Sequence, residues 1–209
     1  MTEFNTPTAI SIFPQCVTTA NIDRPITEDE AAVFVRYKKS TKPTTNNIAS
    51  TEKYILDKEP ALSGIKDFIM HNINYYVDNV LKPTVRPEFY ITQSWLNWTH
   101  KEESHHLHLH HNSFLSGVFY VAAAQGEDSI IFTKLGESTF SLPTEEVTMF
   151  TAPSFFVDVQ TGDTVIFRSN IMHQVPPVET DEVRISLAFN VFMRGKIGSY
   201  EDATELVLG

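Results

Sequence analysis

The chain has a single cysteine among 209 residues, Cys16, which excludes an internal disulfide framework and fits a reducing compartment. No apolar run approaches the roughly 20 residues that a membrane-spanning helix needs. The N-terminus, MTEFNTPTAI, lacks a basic stretch followed by a long apolar one, so no secretory signal is expected. Basic residues are few: 16 Lys and Arg stand against 26 Asp and Glu, a formal net charge of −10 at pH 7. Nucleic-acid phosphates are gripped by clustered Lys and Arg, so nucleic acid is not an expected partner. The longest basic run, Arg36 to Lys39, sits at the end of a predicted helix, where it compensates the helix dipole. Also missing are a Gly-rich phosphate loop, G-x-S-x-G, H-E-x-x-H and a paired-cysteine zinc pattern. What is left is an ordinary globular composition, 42% hydrophobic and 20% charged. The expectation is one cytoplasmic domain over residues 1–209, with no membrane partner.

The hydrophobic period divides the chain in two. Up to about residue 87 it is mostly helical. Thr27 and Glu30 have the spacing of a capping box and open a helix running to about Lys39. AISIF, residues 9–13, reads as a short strand, and the Thr-, Asn-, Lys- and Pro-rich residues 40–50 read as a loop. A second helix is predicted over about residues 61–81. Its Ile65, Phe68, Ile69, Ile73, Tyr76 and Val77 form one apolar stripe, and Pro83 and Pro87 end it.

From residue 88 to about 194 the period becomes two. Strands are predicted over residues 88–98, 114–122, 128–135, 164–169 and 183–193. Helices first and strands afterwards give an α+β, mainly β class: a β-sandwich or jelly roll with N-terminal helices packed on one sheet. On the last strand Arg184, Ser186, Ala188 and Asn190 share one face. Val183, Ile185, Leu187, Phe189, Val191 and Met193 share the other. That is the pattern of a strand lining a pocket, or of one with an ordinary solvent-facing side.

Six of the eight histidines lie between residues 100 and 111, and five of them fall within residues 105–111. In an extended segment His106, His108 and His110 share a face, with His105, Leu107, Leu109 and His111 on the other. Neighbouring neutral imidazoles at i and i+2 can grip one cation. A third ligand must come from elsewhere, and His173 is the supplier, since His71 lies inside the predicted second helix. Glu102 and Glu103, just upstream, could also supply a carboxylate. Because ligating imidazoles must be neutral, metal binding is expected to weaken below about pH 6.5.

The order of these pieces resembles a family. Ser94 and Trp95 are followed by His108-Leu109-His110-His111-Asn112-Ser113 and then by Leu115-Ser116-Gly117-Val118-Phe119-Tyr120-Val121. His173-Gln174-Val175-Pro176 and an Arg184-x-Ser186 strand reaching Asn190 complete the series. About residues 88–194, roughly half the chain, thereby resemble the double-stranded β-helix of the 2-oxoglutarate/Fe(II)-dependent oxygenases. The likeness is strongest to the small oxygenase-like proteins of marine phages and bacteria, so the cytoplasm could be that of a phage-infected host.

The resemblance implies Fe(II) as cofactor and 2-oxoglutarate as co-substrate, with O2 and a small-molecule or protein substrate. It makes His108 the first iron ligand and His173 the distal one. His110 stands where the superfamily usually has an acid. A three-His site, a substituting carboxylate and a site without activity are all compatible with that departure. Three-His is the reading taken, because the small family also carries His-x-His.

The likeness also assigns the far carboxylate of 2-oxoglutarate to Arg184 and Ser186, a bidentate guanidinium grip plus a hydroxyl. Tyr120 and Asn190 are further candidates for co-substrate binding, and Gln93, Trp95 and Asn97 for the pocket wall. Two rivals stand beside this reading: a three-His cupin-type iron dioxygenase without 2-oxoglutarate, and a non-catalytic metal-binding jelly roll. The helical N-terminal third could form a lid or a homodimer surface.

Overall fold

The computed structural model describes residues 6–136 and 143–209. The capping box forms as expected. The Thr27 side chain accepts from the Glu30 backbone N–H, and the Glu30 carboxylate accepts from the Thr27 N–H at 2.8 Å. Helix α1 then runs over Glu28–Lys38. After a four-residue helix α2 (Ile55–Lys58) and a tight turn at Pro60–Leu62, helix α3 covers Ser63–Tyr75 and loosens into a wider π-type turn over Tyr76–Leu81. Lys82, at φ 48°, closes it in the left-handed region before the prolines. Of the expected stripe, Ile65, Ile69, Ile73, Tyr76 and Val77 are almost wholly covered and Phe68 is partly buried against the same core.

Twelve strands follow in chain order: β1 (Val17–Asn21), β2 (Thr41–Pro43), β3 (Ile48–Ser50), β4 (Glu88–Thr99), β5 (His105–His108), β6 (Leu115–Ala122), β7 (Ser129–Thr133), β8 (Ser154–Asp158), β9 (Asp163–Arg168), β10 (Met172–Val175), β11 (Arg184–Ile197) and β12 (Leu206–Leu208). The larger antiparallel sheet has the order β1-β9-β6-β11-β4-β3-β2, with β12 paired to β11; the smaller has the order β5-β10-β7-β8. The class is α+β and mainly β, as the period change indicated.

Two segments differ from the sequence reading. Residues 9–13 form no strand: Ile10, Ile12 and Phe13 are exposed, Phe13 by 91%. A strand needs a partner, and the free edge of β9 is taken by Val17–Asn21 instead. Residues 40–50 are not a plain loop. They fold as the β2–β3 hairpin, which adds to the sheet beside β4, with Ile48 opposite Trp98 and Ala49 opposite Asn97.

The larger sheet has two different faces because its strands alternate. Leu96, Trp98, Phe119, Leu187, Phe189 and Val191 join the α3 stripe in one core. Tyr120, Ile130, Phe132, Val165, Phe167 and Ile171 form a second core, which takes in β7 of the smaller sheet. Gly117 has a specific place here. A Cβ on it would lie 2.3 Å from the Phe189 ring and 2.8 Å from the Val165 carbonyl oxygen. The missing side chain is the space the phenylalanine occupies.

Candidate metal centre and its pocket

Strand β5 brings in His108, and β10 brings in His173 directly across from it in the antiparallel register. Cross-strand partners on one face are neighbours, and their ring centroids lie 4.2 Å apart. His110 follows the end of β5. Its backbone N–H is held by the Ser169 carbonyl at 3.0 Å, which turns its ring back toward the pair. The result is a cluster in which one nitrogen from each of His108, His110 and His173 lies within 4.8 Å of the others. The Nε2 atoms of His110 and His173 are 3.3 Å apart. Two imidazole nitrogens each about 2.0–2.1 Å from one ion stand roughly 2.8–3.4 Å apart, so the spacing fits a shared cation.

Neighbouring carbonyls orient two of these rings. The Nδ1 of His173 meets the Ile171 carbonyl at 2.9 Å, and the Nδ1 of His108 meets the His106 carbonyl at 2.7 Å. A carbonyl only accepts, so each Nδ1 carries the proton and each Nε2 presents a lone pair, as a metal ligand requires. Phe167 packs edge-on against His173 at 4.6 Å, and Trp95 stands 6.0 Å from His110. Burial pushes His173 down to about 3 and His110 down to about 4, and it lowers His108 as well; neighbouring imidazoles add to the effect. The folded protein therefore holds these rings neutral to lower pH than free imidazole, whose value is about 6.5.

Upstream carboxylates do not join them. Glu103 accepts from the His100 N–H at 2.8 Å and meets its ring Nδ1 at 3.0 Å, and Glu102 is exposed. Among the described residues the three-ligand cluster contains imidazoles only. Of the remaining local histidines, His106 and His111 face solvent.

The same pocket is lined by Arg184, Ser186 and Ala188 of β11, by Tyr120 of β6, and by Trp95, Asn97 and Thr99 of β4. The predicted polar face of the last strand thus points at the histidines, while Leu187 and Phe189 face the helices. Arg184 is only 4% exposed. Its Nη1 donates to Asp128 at 2.8 Å and its Nη2 to the Pro176 carbonyl at 3.2 Å. Asp128 was not legible in the sequence as a partner of Arg184. Its other carboxylate oxygen is held by the Ala124 N–H, so it fixes the guanidinium, which has five donors in all. Tyr120 is 1% exposed and its hydroxyl has no hydrogen-bond partner among the described residues, a state that costs energy until something fills it. Asn190 lies elsewhere: its Oδ1 accepts from Ser116 at 3.0 Å, within a chain of serine hydroxyls running through Ser169 to Ser113. It is not among the lining residues. Gln93 is likewise outside the lining set, whereas Trp95 and Asn97 are in it.

Residues 93–190, just under half the chain, match the family described as "Putative 2OG-Fe(II) oxygenase". No curated protein matches the sequence. Among solved structures, a prolyl-4-hydroxylase from Pseudomonas putida is 16% identical, with a TM-score of 0.56, over 87% of this chain and 94% of that one. A 2OG-Fe(II) oxygenase family oxidoreductase from Burkholderia pseudomallei is 14% identical, with a TM-score of 0.55, over 83% of each chain. HygX from Streptomyces hygroscopicus, with nickel, 2-oxoglutarate and hygromycin B bound, is 12% identical, with a TM-score of 0.55, over 85% of this chain and 82% of that one. The fold is a double-stranded β-helix. The two sheets are the walls of that β-helix, and the histidine cluster and Arg184 line the pocket it holds.

Proposed function

We propose that the chain is a 2-oxoglutarate- and Fe(II)-dependent oxygenase in which His108, His110 and His173 hold the metal. The observation that carries the reading is the meeting, in one pocket, of three neutral imidazoles with a buried guanidinium. Three uncharged ligands leave the full charge of a divalent cation uncompensated, and an acidic co-substrate supplies the balance. The residues suit it. Arg184, held by Asp128, keeps donors for a second carboxylate; Ser186 adds a hydroxyl on the same face; and the unpartnered Tyr120 hydroxyl is a group awaiting a polar ligand.

When bound, iron and 2-oxoglutarate supply activation of O2, with decarboxylation of the co-substrate to succinate and hydroxylation of a C–H bond. The chain's own residues do the rest. His108 and His173 are oriented by main-chain carbonyls, Arg184 and Ser186 fix the far end of the acid, and Trp95 and Phe167 shield the rings from water. The substrate is a small molecule or a protein side chain. The likeness of residues 88–194 to small oxygenase-like proteins of phages and marine bacteria belongs to the same proposal.

The test is anaerobic addition of Fe(II) and then 2-oxoglutarate. A weak visible charge-transfer band is expected from the wild type and none from Arg184→Ala. A wild type that takes up iron but gives no response to 2-oxoglutarate overturns the proposal in favour of an iron site of the cupin kind.

A further inference from the structure

A fourth imidazole lines the pocket. His105 sits opposite Val175 while His108 sits opposite His173, so three residues of β5 span what two residues of β10 span. That is a β-bulge, and a bulge re-aims a side chain. Strict alternation would send His105 and His108 to opposite faces. The bulge puts both in the pocket wall, with ring centroids 4.6 Å apart.

His105 differs from the three clustered histidines in its hydrogen bond. Its Nδ1 meets the Nδ2 of Asn47 at 3.1 Å. Asn47 is 95% covered at the tip of the β2–β3 hairpin, and its Oδ1 lies 2.5 Å from the Thr44 hydroxyl. The amide turns its oxygen toward the Thr44 hydroxyl and its NH2 toward His105. An amide NH2 only donates, so the Nδ1 of His105 is the acceptor, and the proton of the neutral ring sits on Nε2. His108 and His173 have the opposite tautomer, set by carbonyls. The Nε2 of His105 makes no hydrogen bond among the described residues. Beside it in the lining are Arg184 and two buried polar side chains, Asn97 and Thr99, which also make no side-chain hydrogen bond among the described residues.

From these contacts we infer that His105 is not a fourth metal ligand but a co-substrate-binding residue, whose Nε2–H donates to a carboxylate oxygen of the acid that Arg184 grips. Thr44 and Asn47 of the hairpin are positioning residues that hold the donor tautomer. The inference rests on the proposed function, since it takes 2-oxoglutarate as that acid.

The experiment is an anaerobic titration of the Fe(II)-loaded protein with 2-oxoglutarate, read by the charge-transfer band, for wild type, His105→Gln and His105→Asn. The Gln amide nitrogen reaches the place of Nε2, whereas the Asn side chain reproduces only the Nδ1 side. His105→Asn should weaken 2-oxoglutarate binding at least tenfold, His105→Gln should stay within threefold of wild type, and both should keep wild-type Fe(II) affinity. Ring 15N shifts of the wild type supply a measurement that needs no variant to fold, and Nε2–H is the expected tautomer. Equal 2-oxoglutarate binding by His105→Asn and wild type, loss of iron in either variant, or an Nδ1–H ring overturns the inference while leaving the proposed function standing. No 2-oxoglutarate binding by the wild type overturns the proposed function, and the inference with it.

Discussion

Acid should destabilise the metal-free protein between pH 7 and pH 5, and the amount can be worked from three rings. Burial holds His105 and His173 down to about 3 and His110 down to about 4. In the unfolded chain each titrates near 6.5. Between those values the unfolded chain binds more protons than the folded one, so stability is complete above 6.5 and falls as pH drops toward the folded values. At about 1.4 kcal/mol per pH unit, each ring gives up about 2 kcal/mol between pH 7 and pH 5, and the three together roughly 4–6 kcal/mol. A domain has only about 5–15 kcal/mol to lose. The assay is urea unfolding of metal-free protein at pH 7, 6 and 5, followed by the fluorescence of Trp95 and Trp98. His110→Gln and His105→Gln remove one titrating ring each and should each cut the loss by about one third. A midpoint that does not move between pH 7 and pH 5, or a variant with the wild-type slope, refutes the argument.

Three further outcomes follow from the same geometry. His173→Gln should lower metal affinity by at least about 100-fold in a chelator-competition titration, while exposed His106→Ala should leave it unchanged. Asp128→Ala leaves the buried Arg184 uncompensated, which costs about 3–5 kcal/mol; thermal unfolding should show it, and saturating 2-oxoglutarate should restore more stability to this variant than it adds to the wild type. Gly117→Ala drives a methyl into the Phe189 ring and the Val165 carbonyl, so a loss of about 1–3 kcal/mol is expected; an unchanged melting temperature would mean that the ring moves freely.

What the sequence made legible was whatever repeats along one element. The period-two runs gave strands β4, β6, β7, β9 and β11, and the alternation on β11 separated Arg184 and Ser186 from Leu187 and Phe189 before any partner strand was known. The capping box at Thr27 and Glu30 and the α3 stripe were local in the same sense. What was lost depends on partners far away in sequence. Strands β5 and β10 are four residues each, too short for a period, and they exist because each completes the other's hydrogen bonding. Arg184 finds Asp128 across 56 positions, and nothing in the wording DSIIF distinguishes that aspartate from a turn residue. The polar hairpin of residues 41–50 reads as a loop because its residue types favour loops. It is a strand pair because β4 offers an open edge.

The histidine segment shows how far a correct rule can carry and where it stops. Alternation placed His108 and His110 on one face with His106, and His105 on the other. His108 and His110 do share the histidine cluster, but His106 faces solvent and His105 lines the pocket. One extra residue in β5 accounts for both departures, because an insertion of one reverses every side chain before it. The bulge also gives the fourth imidazole a use distinct from that of the other three. Ahead of the bulge, His105 lies within reach of the hairpin's Asn47, an amide that donates. Beyond it, His108 is fixed by the His106 carbonyl, a group that accepts. Identical side chains three residues apart are thereby set to opposite tautomers, one with a proton to donate at Nε2 and one with a lone pair there.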